Sequence, residues 1–152
     1  MEWYVHLGAP PEKMVMGIPT YGRGFQIVDE AEDGLYCPTD DGIRQGPYTL
    51  QKGIWGYNEV LQALHNVTLE NLPEATAGDW KIVVDGCYKA PYMVNGPYWI
   101  GYDDPESVAW KTRYINFRGY GGAMIWSAET DDFDANDSPE TYPILRVRRI
   151  TQ

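Results

Sequence analysis

Trp126 closes a run of four apolar residues, Ala123, Met124, Ile125 and Trp126, and the chain turns polar at once through Ser127, Glu129, Asp131 and Asp132. A ring in that place sits where a strand leaves the core and meets solvent. Trp and Tyr combine a flat apolar face with a hydrogen-bonding edge, so they serve either in a core or in the wall of a wet cleft. The chain favours them, with 12 Tyr and 6 Trp against 3 Phe. Beside Trp126 the groups capable of chemistry are carboxylates: Asp131, Asp132, Asp134, Asp137 and Glu140. The start of this cluster, Asp132-x-Asp134-x-Asn136, opens like a calcium loop. Its sixth position is Asp137 instead of Gly and its twelfth is Pro143 instead of Glu, so a solvated acidic loop is expected and no metal. A zinc site lacks ligands as well, because the chain has two cysteines (Cys37 and Cys87) without a CxxC and two histidines (His6 and His65).

Bulk composition narrows the partners. The 152 residues are 43% hydrophobic and 22% charged, enough for one domain with a sizeable core. A net charge of −10 repels phosphate backbones and anionic lipid surfaces, so neither nucleic acid nor membrane is expected as a partner. No apolar run approaches membrane-spanning length, and the first residues carry no signal-peptide core. Two sequons, Asn66-Val67-Thr68 and Asn136-Asp137-Ser138, lean slightly toward a secreted protein.

The elements that must carry these groups follow from periodicity and punctuation. MEWYVHLG reads as the last turns of an amphipathic helix closed by Gly8. KMVMGIPTYGRGF reads as a strand, buried from Met14 to Ile18 and broken at Pro19, delivering its end to a site. Residues 29–53 are irregular. GIWGYNEVLQALHN has apolar residues at Tyr57, Val60, Leu61 and Leu64, the helical period. WKIVVD is a strand, and YKAPYMVNGPYWIGY is two aromatic strands around an Asn-Gly turn. Asp104 and Pro105 open a helix as N-cap and first residue, and it ends at Gly119. GGAMIW is then a buried strand, followed by the acidic loop and a short basic helix from Tyr142. The outer elements alternate as in a βα barrel, with an antiparallel α+β block between them.

Three segments in this order, GIPTYGRGF (17–25), YWIGYDDPES (98–107) and GGAMIWSAETDDF (121–133), resemble the C-terminal third of a family-18 chitinase or chitinase-like lectin. The fold that this resemblance implies is α/β: strands seven and eight of a (β/α)8 TIM barrel with an inserted α+β chitinase insertion domain. Residues 1–25 would hold the end of helix six and strand seven, 26–102 the insertion domain, and 103–152 helix seven, strand eight and helix eight. In the family the Trp at the end of strand eight floors the cleft beneath an N-acetylglucosamine ring, a place that falls on Trp126. The apolar C–H face of a pyranose stacks on such a plane and leaves its hydroxyls free to hydrogen-bond.

The resemblance implies roles for further residues. Tyr21 and Arg23 match a Tyr and an Arg that reach sugar hydroxyls, although an ion pair across the module boundary is an alternative for Arg23. Met124 matches a Met lining the pocket, with an ordinary strand core residue as the other reading. Tyr57 matches a family Tyr, Ile54 falls where mammalian members carry a cleft Met, and Gln51 replaces a Glu that often contacts sugar. Trp80 and Trp110 read as packing residues. The family's usual cysteine positions, near Leu61 and beyond strand eight, are empty here, so Cys37 and Cys87 are expected to bond each other in a secreted protein, two buried free thiols being the alternative.

Family-18 chemistry needs an Asp-x-x-Asp-x-Asp-x-Glu run on strand four, whose Glu protonates the glycosidic oxygen while the substrate's acetamide attacks the anomeric carbon, an exception to the usual carboxylate pair. The run is absent from these residues. No catalytic residue is therefore assigned, no cofactor is implied, and the chain alone is expected to be inactive. The implied function is the chitin- or chitooligosaccharide-binding C-terminal part of a secreted chitinase that cleaves β-1,4-linked N-acetylglucosamine with retention. The alternative is a chitinase-like lectin or a chitin-binding matrix protein without activity. A closed barrel needs roughly 250 residues, so the remaining strands are expected in the rest of a longer protein.

Overall fold

The computed structural model describes residues 1–65 and 80–147. Two sheets organise them. The first is a parallel pair, β1 (Val15–Pro19) and β8 (Gly122–Trp126), in register from Val15 opposite Gly122 to Pro19 opposite Trp126. The second is antiparallel, in the order β3 (Thr39–Gly42), β2 (Tyr21–Ile27), β7 (Tyr98–Gly101), β6 (Pro91–Asn95) and β5 (Lys81–Val84), with β4 (Ile54–Gly56) also paired to β2. Helix α1 (Glu2–His6) precedes the sheets, α2 (Tyr57–Leu64) follows β4, α3 (Pro105–Arg118) leads into β8, and α4 (Pro143–Arg146) comes last.

The run expected as one strand ending at Phe25 is two strands in different sheets. The chain changes sheet at Thr20. Thr20 is fully buried and acts as the joint. Its N–H donates to the Trp126 carbonyl (3.1 Å), its carbonyl accepts from the Tyr57 N–H (2.9 Å), and its hydroxyl donates to the Ser127 carbonyl (2.6 Å).

Along β2 the period-two alternation sets the two faces. Gly22 and Gly24 point into the core while Tyr21, Arg23 and Phe25 lie on the other face. Glycine is required at 24 because a Cβ there would lie 2.3 Å from Ile43 Cδ1. The core these residues close includes Trp55, Val60, Met93 and Ile100 and continues to Ile18 of β1 and Ile144 of α4. Burying a side chain of this kind contributes about 1.5–3 kcal/mol. Tyr57, Val60 and Ala63 turn the inner face of α2 onto it.

β1 and β8 are less buried than the expected strands. Ile18 is buried, yet Val15 is 54% exposed and Met124 47% exposed. Ile18 and Ile125 pack with Val108 of α3 and Ile144 of α4, whereas the face bearing Val15, Met124 and Trp126 is largely exposed. The hairpin between β6 and β7 turns one residue later than Asn-Gly, since Asn95 still pairs with Tyr98. Gly96 holds the first turn position at φ +53 and Pro97 fixes the second. Helix α3 forms as its punctuation predicts: the Asp104 carboxylate accepts from Ser107 N–H (2.7 Å), and Gly119 ends the helix in the left-handed region.

The expected Cys37–Cys87 bridge is not formed, and both thiols are free. Cys37 packs beneath the sheet with Ile27, Tyr92 and Val94, where burial pushes its thiol pKa up. Cys87 is exposed in a turn whose amides at Cys87 and Tyr88 both donate to Asp85 Oδ1 (2.8 and 2.7 Å). One sulfur faces an apolar cluster and the other faces solvent.

Candidate functional site

Parallel β1 and β8 end side by side, so Pro19 and Trp126 emerge together next to the joint at Thr20. Trp126 is 67% exposed and is joined to Ser127 by a cis peptide. The antiparallel pairing of β2 with β4 sets Tyr21 opposite Gly56 and Arg23 opposite Ile54. Together these ends enclose a cavity of about 460 Å³, bordered by Trp126, Tyr21, Arg23 and Ile54. Four of the six expected binding residues thus meet in one place. Arg23 forms no ion pair with the described residues.

The other two expected residues lie elsewhere. Tyr57 is buried against Tyr102, with ring centroids 6.5 Å apart, and desolvation drives its phenol pKa far upward. As the first residue of α2 its backbone ties that helix to Thr20. Met124 shares the exposed face of the parallel pair with Trp126 but does not border the cavity.

Polar residues absent from the expected set complete the wall, among them Thr49, Asn58, Glu129 and Thr130, beside Gln51, which stands in place of the family's Glu. The hydrogen bond from Ser127's side chain holds the Glu129 carboxyl below its ordinary pKa. The aromatic Tyr48, 64% exposed, also borders the cavity. Its loop is held by the fully buried Glu59. Glu59 Oε1 accepts from the amides of Tyr48 (2.6 Å) and Thr49 (3.0 Å), and Oε2 from the Gly56 amide (2.6 Å) and the Thr49 hydroxyl (3.0 Å). The signal for this was legible as a Glu in the first turn of a helix, but its partners lie in a stretch without periodicity.

Two carboxylates of the acidic cluster after Trp126 turn inward, while Asp134 and Glu140 stay exposed. Asp131 and Asp132 are fully buried. Asp131 accepts from the amides of Asp132 (2.9 Å) and Leu145 (3.0 Å), anchoring α4, while burial raises its pKa above the ordinary carboxylate value. Asp132 accepts from the Ser138 hydroxyl and from the Asp137 amide (3.3 Å). These carboxylates build the loop, and among the described residues no three His, Cys, Asp or Glu side chains are grouped to hold a metal ion.

On the β7 side of Tyr21 and Arg23 a second cavity, of about 420 Å³, is bordered by Tyr36, Tyr88, Tyr92 and Trp99. Trp80 is buried and packs edge-on against Trp55 (6.3 Å). Trp110, expected as packing, is 43% exposed and carries Lys89 and Arg113 over its ring at 5.4 and 5.0 Å. Of the two sequon asparagines, Asn136 is exposed and Asn66 lies outside the described residues.

Comparison with known proteins gives consistent relatives. The chain is 35% identical to human chitinase-3-like protein 2, over 95% of this chain and 34% of that protein, and 31% identical to mouse chitotriosidase-1, over 96% and 28%. It therefore spans about a third of the length of these curated relatives. Among solved structures, human YKL-39, described as a pseudo-chitinase with retained chitooligosaccharide binding properties, superposes with a TM-score of 0.84 at 34% identity, over 97% of this chain and 37% of that one. The Group IV chitinase of Ostrinia furnacalis in complex with allosamidin superposes at 0.85 and 34%, over 97% and 37%. The model of the glycosyl hydrolases family 18 matches residues 1–131, and to that family this chain belongs.

Proposed function

We propose that this chain forms the floor and one wall of a cleft for chitooligosaccharides, as the C-terminal part of a family-18 barrel. In this reading β1 and β8 take the places of strands seven and eight, and the antiparallel block is the insertion domain. The uncovered apolar face of β1 and β8 is then the side turned toward the remaining strands. The observation that carries the reading is the convergence of Trp126, Tyr21, Arg23 and Ile54 on one cavity, an exposed aromatic plane beside hydrogen-bonding groups. An uncharged sugar with an apolar face and polar rim calls for that combination. The chitooligosaccharide binding ascribed to YKL-39 supports it from outside the chain.

The parent protein cleaves β-1,4-linked N-acetylglucosamine by substrate assistance only if the acidic run missing here lies elsewhere in it. A lectin or a chitin-binding matrix protein is the second reading, favoured by the likeness to a pseudo-chitinase. Secretion and glycosylation at Asn66 and Asn136 belong to the proposal. Calorimetry with tetra-N-acetylchitotetraose tests the site. Wild type should bind, and Trp126→Ala, checked for folding by circular dichroism, should bind about tenfold more weakly or worse, a loss of about 1.4 kcal/mol. A folded Trp126→Ala protein with wild-type affinity would overturn the reading.

A further inference from the structure

We propose that Tyr48 is a second sugar-contacting aromatic of this cavity and that buried Glu59 is the residue that positions it. The inference rests on the chitooligosaccharide reading of the site. Tyr48 borders the same cavity as Trp126, and both rings are largely exposed, 64% and 67%. Two exposed aromatics bordering one cavity supply apolar planes that a ligand can cover. Sugar rings present apolar faces that suit such planes.

The loop bearing Tyr48 belongs to no strand or helix, so its placement depends on side chains. Glu59 supplies it. One carboxylate oxygen takes the amides of Tyr48 and Thr49, and the other takes the Gly56 amide and the Thr49 hydroxyl. The single proton of the Thr49 hydroxyl is shared between Glu59 and the Ile54 carbonyl (2.8 Å), tying the loop to a second cavity residue. Space for the carboxylate is kept by Gly46, where a Cβ would stand 2.3 Å from Glu59 Oε1. Three backbone amides and the shared Thr49 hydroxyl surround the fully buried carboxylate. Capping α2 needs only the Gly56 contact, whereas the bonds at Tyr48 and Thr49 reach eleven and ten residues back.

The test is tetra-N-acetylchitotetraose binding by calorimetry, with thermal melts alongside. Tyr48→Ala should weaken binding about tenfold, and Tyr48→Phe, which keeps the ring, should stay within about twofold of wild type. Glu59→Gln places an amide NH2 against backbone N–H groups in either orientation, those of Tyr48 and Thr49 or that of Gly56. It should weaken binding with Tyr48 present and add nothing in the Tyr48→Ala background, the signature of one residue acting through another. Should Glu59→Gln fail to fold, Gly46→Ala, which crowds the same carboxylate, replaces it in the cycle, and the Tyr48 pair still decides the aromatic contact. If Tyr48→Ala binds like wild type while Trp126→Ala does not, the inference fails and the site reading stands. Additive losses for Glu59 and Tyr48 would overturn the positioning role. No binding by wild type, or unchanged binding by both aromatic variants, would overturn the two together.

Discussion

Exposure separates the tryptophans by task. Trp126 gives up little on folding because most of its ring stays in water, while Trp80 is buried against Trp55. Trp126→Ala should therefore change thermal stability by less than about 1 kcal/mol, and Trp80→Ala should cost about 3–5 kcal/mol. Denaturant melts of the two variants check the contrast; equal losses would contradict it. Asp131 gives a prediction of the opposite kind. Desolvation raises its folded-state pKa, opposed by the backbone amides that it accepts. Between its ordinary pKa and the raised one, the folded chain keeps a proton that the unfolded chain has lost. This group's contribution to stability is thus greatest below the ordinary value and falls as pH rises through that window. A carboxyl carbon NMR titration should place the Asp131 midpoint above that of an exposed aspartate.

At the scale of elements, ends matter more than middles. Helix α3 is bounded by the Asp104 cap, Pro105 and the left-handed Gly119. Asp104→Ala should cost about 1 kcal/mol, and Asp104→Asn, which still accepts from Ser107, should cost less. Thermal denaturation distinguishes the two, and equal melting temperatures for both variants would count against the cap. These ends were legible because capping is local chemistry. Thr20 was not: a Thr between a Pro and a Tyr carries no signal that two sheets meet there, and only the pairing of β1 with β8 and of β2 with β4 and β7 makes it a joint. The exposed face of β8 escaped for a related reason. An apolar run without alternation reads as buried on both sides, but burial depends on what covers each face.

For the whole molecule, the proton donor decides activity. The chain contains no Asp-x-x-Asp-x-Asp-x-Glu run, and its inward-turned Asp131 and Asp132 Oδ2 hold backbone and side-chain partners within the loop. The purified chain should release no fluorophore from a chitobioside above the buffer rate, since losing a general acid removes a factor of about 10² to 10⁴. Turnover surviving rigorous purification would refute this. By itself, the sequence determined the elements with local punctuation: α2 by its period, α3 by its caps, β6 and β7 by their turn residues. It also determined Trp126 as the exposed aromatic at the end of a strand, because an apolar-to-acidic break marks where a chain meets water. Only the tertiary structure decided which of the matched residues share a cavity. It brought Tyr21, Arg23, Ile54 and Trp126 together and left Tyr57 and Met124 outside. It kept Cys37 and Cys87 apart in function, one under the sheet and one in solvent, and hung the Tyr48 loop on Glu59. Helix period and capping act over a few neighbouring residues and are written there. A cavity is made by side chains from distant segments, and their meeting is fixed by strand pairing and core packing, which no local pattern encodes.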